Sequence, residues 1–329
     1  MKVCIIGAGA IGGFIGAKLA AAGRCETSAL ARGATLTALR EHGWRLRTAD
    51  GALVTGRVTA SDHPDALGPQ DLIVIAVKGP ALPEVARTIA PLLGPDTAVL
   101  PAMNGVPWWF CQGIAGVGDA PLQSVDPGGA IAAAIALPRV IGCVVHASTS
   151  TPEPGLVQQK MGQRLIIGEP AGGRSERVSR LAELLAGAGF DVDHSADVRQ
   201  DIWYKLWGNM TMNPVSAITG ATMDRILDDE LVRGFCSSAM REAQAIGAKI
   251  GCPIAETPED RHAVTRKLGA FKSSMLQDVE AGRPLELDSL VAAVRELGGR
   301  VGVATPSIDA LLGLTRLFGR VCGLYPLAG

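Results

Sequence analysis

An α/β domain with a largely parallel sheet, followed by an all-helical domain, is the fold class this sequence predicts. Three observations predict it. Apolar strand-like runs alternate with helical patterns through about the first 170 residues, strand signals nearly vanish from about residue 195, and a glycine turn stands between the first strand and the first helix. No internal repeat or low-complexity tract stands out.

The first strand is Lys2-Val3-Cys4-Ile5-Ile6, and it runs into Gly7-Ala8-Gly9-Ala10-Ile11-Gly12, then into the alanine-rich stretch that follows Gly16. This is G-x-G-x-x-G in the strand-turn-helix setting that gives the pattern meaning. The first glycine permits the tight turn, the second admits a pyrophosphate against the backbone, and the third lets the helix pack on the strand. The helix N-terminus then faces the phosphates. The predicted fold is therefore an α/β Rossmann-type dinucleotide-binding domain followed by an all-helical C-terminal domain. The plainer alternative is a glycine-rich turn with no ligand.

Further candidate strands are residues 25–30, 71–77, 97–102, 140–146 and 164–168, with helical patterns between several of them. Residues 44–58 alternate in polarity around Asp50-Gly51 and read as a small hairpin. Residues 113–129 are rich in Gly, Pro and Asp and read as a long loop; residues 149–155 are also turn-rich. After a helix over 174–187 and a short strand over 190–192, only helices are expected: 197–213, 228–250, 258–281, 289–301 and 307–317. Their stops are Asn213-Pro214, Gly251, Gly282-Arg283-Pro284 and Gly302. The domain boundary is expected near 194, giving a dinucleotide-binding domain over 1–194 and an all-helical domain over 195–329.

The end of the second strand bears on which dinucleotide is bound. An acidic residue about 20 positions past the glycines would accept hydrogen bonds from a ribose 2′-hydroxyl. Here Leu30-Ala31-Arg32-Gly33 ends in arginine, a fork that suits a 2′-phosphate, and Lys78 closes another strand with a second positive charge. The reading is NADP. A solvated surface arginine and an ordinary strand-end lysine are the plainer alternatives.

Lys205, Asn209 and Asn213 stand four residues apart. On a helix such a row spans roughly 80° of arc over about 12 Å. Leu206, Trp207, Met210 and Met212 between them are apolar enough to bury the helix, and buried amides and ammonium groups need partners. Either neighbouring side chains satisfy the row or a polar ligand does. The methionines read as core.

Composition narrows the rest. At 329 residues, 47% hydrophobic and 19% charged, the chain suits a globular protein of two domains. A net charge of −1 provides no field for nucleic acid or an anionic membrane, and the longest apolar run, 130–137, is too short to span a bilayer. Seven scattered cysteines without C-x-x-C spacing, and an N-terminus unlike a signal peptide, point to a reducing cytoplasm. His42, His63, His146, His194 and His262 are dispersed, so no metal site is expected.

Taken together, the glycine turn, Leu30-Ala31-Arg32-Gly33, Val77-Lys78, Asn104-Gly105-Val106, the block from Lys205 to Pro214, and Ser273-Ser274-Met275-Leu276-Gln277-Asp278 followed by Glu286 make nearly the whole chain resemble the ketopantoate reductase family, also called 2-dehydropantoate 2-reductases. The resemblance implies a Rossmann-type domain plus a helical domain, with substrate and nicotinamide in the cleft between them, and a homodimer through the helical domain. It implies NADPH-dependent reduction of ketopantoate to pantoate, with Lys205 as the catalytic lysine and general acid and Glu286 as the active-site carboxylate that holds the substrate hydroxyl. Asn104, Asn209, Asn213 and Ser274 match the substrate contacts. Arg32, Lys78 and Asn104 join Gly7, Ala8, Gly9, Ala10, Ile11 and Gly12 as cofactor contacts.

Read without the resemblance, Glu286 is a solvated residue at a helix start, Ser273-Ser274 small packing residues in mid-helix, and Asn104 a turn former. The sequence departs from the family pattern at Pro107-Trp108-Trp109-Phe110, whose bulk either reshapes the pocket or serves as lid packing or a subunit contact. A reductase of another bulky 2-oxo acid therefore stays open, as does a β-hydroxyacid dehydrogenase, which also uses a lysine four residues ahead of an asparagine. A non-catalytic NADP-binding protein is the alternative from another class.

Overall fold

The computed structural model describes residues 1–327, which divide into two compact units. The first comprises Met1–Met103 and Ala130–Asp201, the second Asn104–Gly129 and the chain from Ile202 onward.

The strands are β1 (Lys2–Ile6), β2 (Glu26–Leu30), β3 (Trp44–Arg47), β4 (Leu53–Gly56), β5 (Thr59–Ser61), β6 (Gln70–Ile75), β7 (Leu93–Pro101), β8 (Gly142–Glu153), β9 (Leu156–Gly168) and β10 (Asp191–His194). They form two sheets in the first unit. One has the order β5-β2-β1-β6-β7 and is parallel throughout. Val3–Ile6 and Leu72–Ile75 are buried, as continuous apolar runs must be in a sheet covered on both faces.

Beside this parallel sheet stands a second, mixed one. Val140 makes one isolated parallel bridge to Val99 of β7, but from Gly142 onward β8 pairs antiparallel with β9, from Gly142 opposite Gly168 to Glu153 opposite Leu156. β9 then takes β10 and β3 as parallel neighbours, and β3 pairs antiparallel with β4 across the Asp50-Gly51 turn. Most of the turn-rich stretch 149–155 is therefore strand, with the reversal confined to Pro154 and Gly155.

Helices α1 (Ala10–Ala22), α2 (Gly33–His42), α3 (Leu82–Thr88), α4 (Ala130–Ala134) and α5 (Glu176–Gly187) complete the first unit. α1 is packed between the sheets, which explains its lack of a polar face. A Cβ at Gly16 would lie 2.5 Å from the Trp44 ring and one at Gly13 2.6 Å from Val157, both on the second sheet; at Gly12 it would meet Ile5 of the first at 3.0 Å. Trp44 also donates from its indole nitrogen to Thr27 Oγ1 at 3.2 Å, so its one polar atom is satisfied.

The remaining helices are α6 (Val198–Thr219), α7 (Met223–Asp228), α8 (Glu230–Lys249), α9 (Pro258–Arg266), α10 (Ser274–Glu280), α11 (Ala293–Val301) and α12 (Pro306–Val321). Two expectations fail here. α6 does not stop at Asn213-Pro214 but continues through the proline to Thr219. A mid-helix proline costs about 3 kcal/mol, and burying a side chain such as Val215 returns roughly 1.5–3 kcal/mol; Met212, Val215 and Ala217 are all buried around Pro214. The segment 258–281 is two helices, α9 and α10, separated where Gly269 takes φ +62°. Ser273 is thus the N-cap of α10, accepting from the Leu276 amide at 3.0 Å, and not a mid-helix packing residue. α7 is a separate short element that no sequence signal marks.

The run Trp108-Trp109-Phe110 belongs to the core of the second unit. All three rings are buried, and Phe110 stacks on Trp203 of α6 with centroids 6.1 Å apart. Trp207 donates to the Met240 carbonyl at 2.8 Å, tying α6 to α8.

Candidate active site

In the first unit the G-x-G-x-x-G stretch joins β1 to α1 where the strand order reverses, with β2 on one side of β1 and β6 on the other. Ligands of open α/β sheets bind outside the carboxyl ends of strands at such a point. The three glycines differ in what requires them. Gly7 sits at φ +91°, and a Cβ at Gly12 would stand 2.0 Å from the Gly7 carbonyl oxygen. The fold itself accounts for both. A Cβ at Gly9 would meet nothing within 4 Å, so no packing contact excludes a side chain there. Gly9 is also the N-cap of α1, with no side chain capping the helix's first amides.

Arg32 follows β2 as the exposed N-cap residue of α2, and half-buried Lys78 follows β6 as the cap of the short 3₁₀ turn Gly79–Ala81. Both therefore stand, like the glycine turn, at carboxyl ends of adjacent parallel strands.

The second unit holds the other sequence-predicted residues. α6 carries Lys205 and Asn209, both half-buried, and buried Asn213. Lys205 Nζ donates to Asn104 Oδ1 at 2.8 Å. Asn213 Nδ2 lies 3.5 Å from Ser274 Oγ, the first residue of α10. The polar row thus meets two further predicted residues, from segments about 100 and 61 residues away in sequence. The Asn209 side chain makes no hydrogen bond among the described residues. Glu286 is half-buried in the irregular stretch that links α10 to the next helical turns.

Two supports have no clear signal in the sequence. The chain after Glu286 enters a π-helical turn, Asp288–Ala292, a form concentrated at functional sites. Within it the Ser289 carbonyl accepts from the Val106 amide at 2.8 Å, and Ser289 Oγ reaches the Asn104 carbonyl at 3.5 Å. Gly105, at φ +85°, permits this approach, since a Cβ there would stand 2.5 Å from Ser289 Oγ. Asn104 is therefore held by its side chain at Lys205 and by its backbone at Ser289. Nothing in the sequence announces a π-turn, although a glycine next to a predicted site asparagine hints at close backbone approach.

The other support concerns the segment 113–129, which is tied to α11. Glu296 accepts from the Gln123 and Ser124 amides at 2.9 Å and from Ser124 Oγ at 2.8 Å, while Arg300 donates to the Ala120 and Pro121 carbonyls. Burial alone would raise the Glu296 carboxyl, but these amides, the hydroxyl and Arg300 hold it below the ordinary glutamate value. Among the described residues no cluster of three or more His, Cys, Asp or Glu side chains could hold a metal ion, and no helix is long and apolar enough to cross a membrane.

Residues 3–109 match the family described as Ketopantoate reductase PanE/ApbA, and residues 197–318 match Ketopantoate reductase PanE/ApbA C terminal. A 2-dehydropantoate 2-reductase of Mesorhizobium japonicum is 46% identical over 99% of this chain and 100% of its own length. The crystal structure of a ketopantoate reductase candidate from Ralstonia solanacearum MolK2 superposes with a TM-score of 0.94 at 57% identity, covering 98% of this chain and 99% of that one. A 2-dehydropantoate 2-reductase from Methylococcus capsulatus superposes at 0.83 with 27% identity, over 98% of each chain. With the glycine turn, the lysine–asparagine row and both family regions in place, the chain belongs to the ketopantoate reductase family and is an oxidoreductase of 2-oxo acids that works with a nicotinamide dinucleotide.

Proposed function

We propose that this protein reduces ketopantoate to pantoate with NADPH, using Lys205 as general acid and Glu286 to hold the substrate hydroxyl. The observation that carries the reading is the 2.8 Å hydrogen bond from Lys205 Nζ to Asn104 Oδ1, which aims a proton donor from a largely apolar helix.

The residues of the first unit suit the dinucleotide. The open space beside Gly9 and the uncapped first turn of α1 fit a pyrophosphate, and Gly7, Ala8, Ala10, Ile11 and Gly12 set the turn around it. Exposed Arg32 is placed to pair with a 2′-phosphate, with Lys78 as a second cation and Asn104 as a further contact; this supports NADPH over NADH. Bound there, NADPH supplies the hydride for the keto carbon.

Lys205 does the complementary work. As the C=O π bond is lost and the carbon gains its new C–H bond, charge gathers on the oxygen. The ammonium stabilises it and gives up a proton to form the hydroxyl. Proton donation of this kind contributes about 10²- to 10⁴-fold. Asn104 orients the amine; Asn209, Asn213 and Ser274 offer amide and hydroxyl groups to the acid. Glu286 accepts a hydrogen bond from the substrate's own hydroxyl.

Burial of Trp108, Trp109 and Phe110 within the second unit favours ketopantoate over a bulkier acid, because those rings are engaged in core packing. We further place the enzyme in the cytoplasm, consistent with an odd number of cysteines scattered without C-x-x-C spacing, and infer a homodimer through the helical unit, where Leu314, Leu317 and Val321 leave an exposed apolar stripe on α12. Light scattering at micromolar concentration tests the dimer.

NADPH oxidation with a panel of 2-oxo acids tests the reading. Preferred turnover of ketopantoate supports it. Turnover only of other acids would move the substrate assignment, and tight NADPH binding without turnover would favour a cofactor-binding protein.

A further inference from the structure

We propose that Tyr325, at the end of the chain, is a positioning residue that sets Glu286 against the substrate hydroxyl. The inference rests on the role given to Glu286 above.

α12 ends in a tight reversal. Gly323 takes φ +68°, and the amides of Leu324 and Tyr325 both donate back to the Gly319 carbonyl, at 2.7 and 3.1 Å. The reversal lays Leu324 and Tyr325 alongside the stretch that carries Glu286. On one side of Glu286 the Leu285 amide donates to the Leu324 carbonyl at 2.9 Å. On the other, Tyr325 Oη donates to Asp288 Oδ1 at 2.5 Å. The tail therefore grips the residue before Glu286 by its backbone and the second residue after it by its side chain.

Close packing keeps the grip in register. A Cβ at Gly319 would lie 2.8 Å from Tyr325 Cβ and 3.2 Å from Leu285 Cδ1, so both gripping residues rest on one glycine of α12. Leu285 and Leu287, either side of Glu286, are buried. The proton of the Tyr325–Asp288 pair stays on the phenol: burial and then the neighbouring carboxylate push the tyrosine up to about 12. Burial also raises the Asp288 carboxyl, and the bond from Tyr325 opposes that rise. Asp288 opens the π-turn whose next residue, Ser289, touches Asn104.

A substrate hydrogen bond requires its carboxylate to be held within a few tenths of an ångström. The residues flanking Glu286 set where its backbone stands, and the tail binds one on each side. Tyr325→Phe removes the phenolic bond and keeps the ring that packs on Gly319.

The test compares ketopantoate with 3,3-dimethyl-2-oxobutanoate, the same acid lacking the hydroxyl, in wild type, Tyr325→Phe, Glu286→Gln and the double variant. The expected result is a KM for ketopantoate raised about 10-fold by Tyr325→Phe, the loss of one charge-assisted hydrogen bond. Its kcat and its kinetics with the dehydroxylated acid should stay within about 2-fold, and the double variant should be no worse than Glu286→Gln. A Tyr325→Phe effect equal on both acids, or no effect while Glu286→Gln abolishes the preference for ketopantoate, overturns the inference and leaves the role of Glu286 standing. Unchanged preference in Glu286→Gln overturns that role, and the inference falls with it.

Discussion

Lys205 Nζ and Asn104 Oδ1 are 2.8 Å apart although 101 residues separate them in sequence, and Asn104 is itself fixed by Ser289 through its carbonyl and through the Val106 amide beside it. A charge-assisted bond of this kind contributes about 1.5–3 kcal/mol. Asn104→Ala should lower kcat by about 10-fold or more, because the amine loses the group that aims it. Steady-state kinetics check this. A change confined to KM would assign Asn104 to binding alone.

The glycine turn separates structural from ligand-driven requirements. Gly12→Ala would force a Cβ to within 2.0 Å of the Gly7 carbonyl, so its unfolding midpoint should drop by several degrees, whereas Gly9→Ala meets open space and should unfold as wild type does. The same Gly9→Ala protein should bind NADPH at least about 10-fold more weakly, since the methyl group occupies room meant for a pyrophosphate. Calorimetric titration beside thermal melts distinguishes the two. Equal affinity in Gly9→Ala and wild type would leave Gly9 as an ordinary turn residue.

Arg32→Asp should weaken NADPH binding by on the order of 2 kcal/mol or more while leaving NADH within a few-fold, because it replaces a phosphate partner with a like charge. Parallel titrations with the two nucleotides read the difference. Equal losses for both would remove the 2′-phosphate from the account.

Glu169 gives the fold an acid-sensitive tie. Arg177 holds its carboxyl below the usual glutamate range, opposed by burial and aided by Ser175, through bonds of 2.5–2.7 Å that bind α5 to the end of β9. A depressed folded value means stability that is present above the unfolded value of about 4.5 and is lost as pH falls through the lower folded one. Glu169→Gln should therefore melt earlier than wild type at neutral pH, by on the order of 1 kcal/mol, with the gap closing in acid. A gap independent of pH would assign the effect to packing.

The sequence makes the first sheet legible because β1 and β6 are continuous buried runs and the glycine turn locates α1 between β1 and β2. The second sheet is hidden: β9 has a polar middle around Lys160, Gln163 and Arg164, and its partner β3 lies more than 100 residues earlier. α6 is legible as a helix but not in its end, since Pro214 reads as a stop and only the burial of its surroundings carries the helix onward. The Lys205 row follows from helical period alone. That Asn104 meets it depends on a π-turn and on Gly105, and spacing predicts neither. Trp108, Trp109 and Phe110 look like pocket material in a linear reading, yet all three are buried, with Phe110 stacked on Trp203 of α6.

The central claim is that the Lys205 amine protonates the reduced carbonyl. Pre-steady-state NADPH oxidation by Lys205→Ala with saturating ketopantoate, beside an NADPH titration of the same protein, tests it most directly. The account predicts a hydride-transfer rate at least about 10²-fold slower, with cofactor affinity within about 2-fold of wild type. A rate within a few-fold of wild type would contradict it.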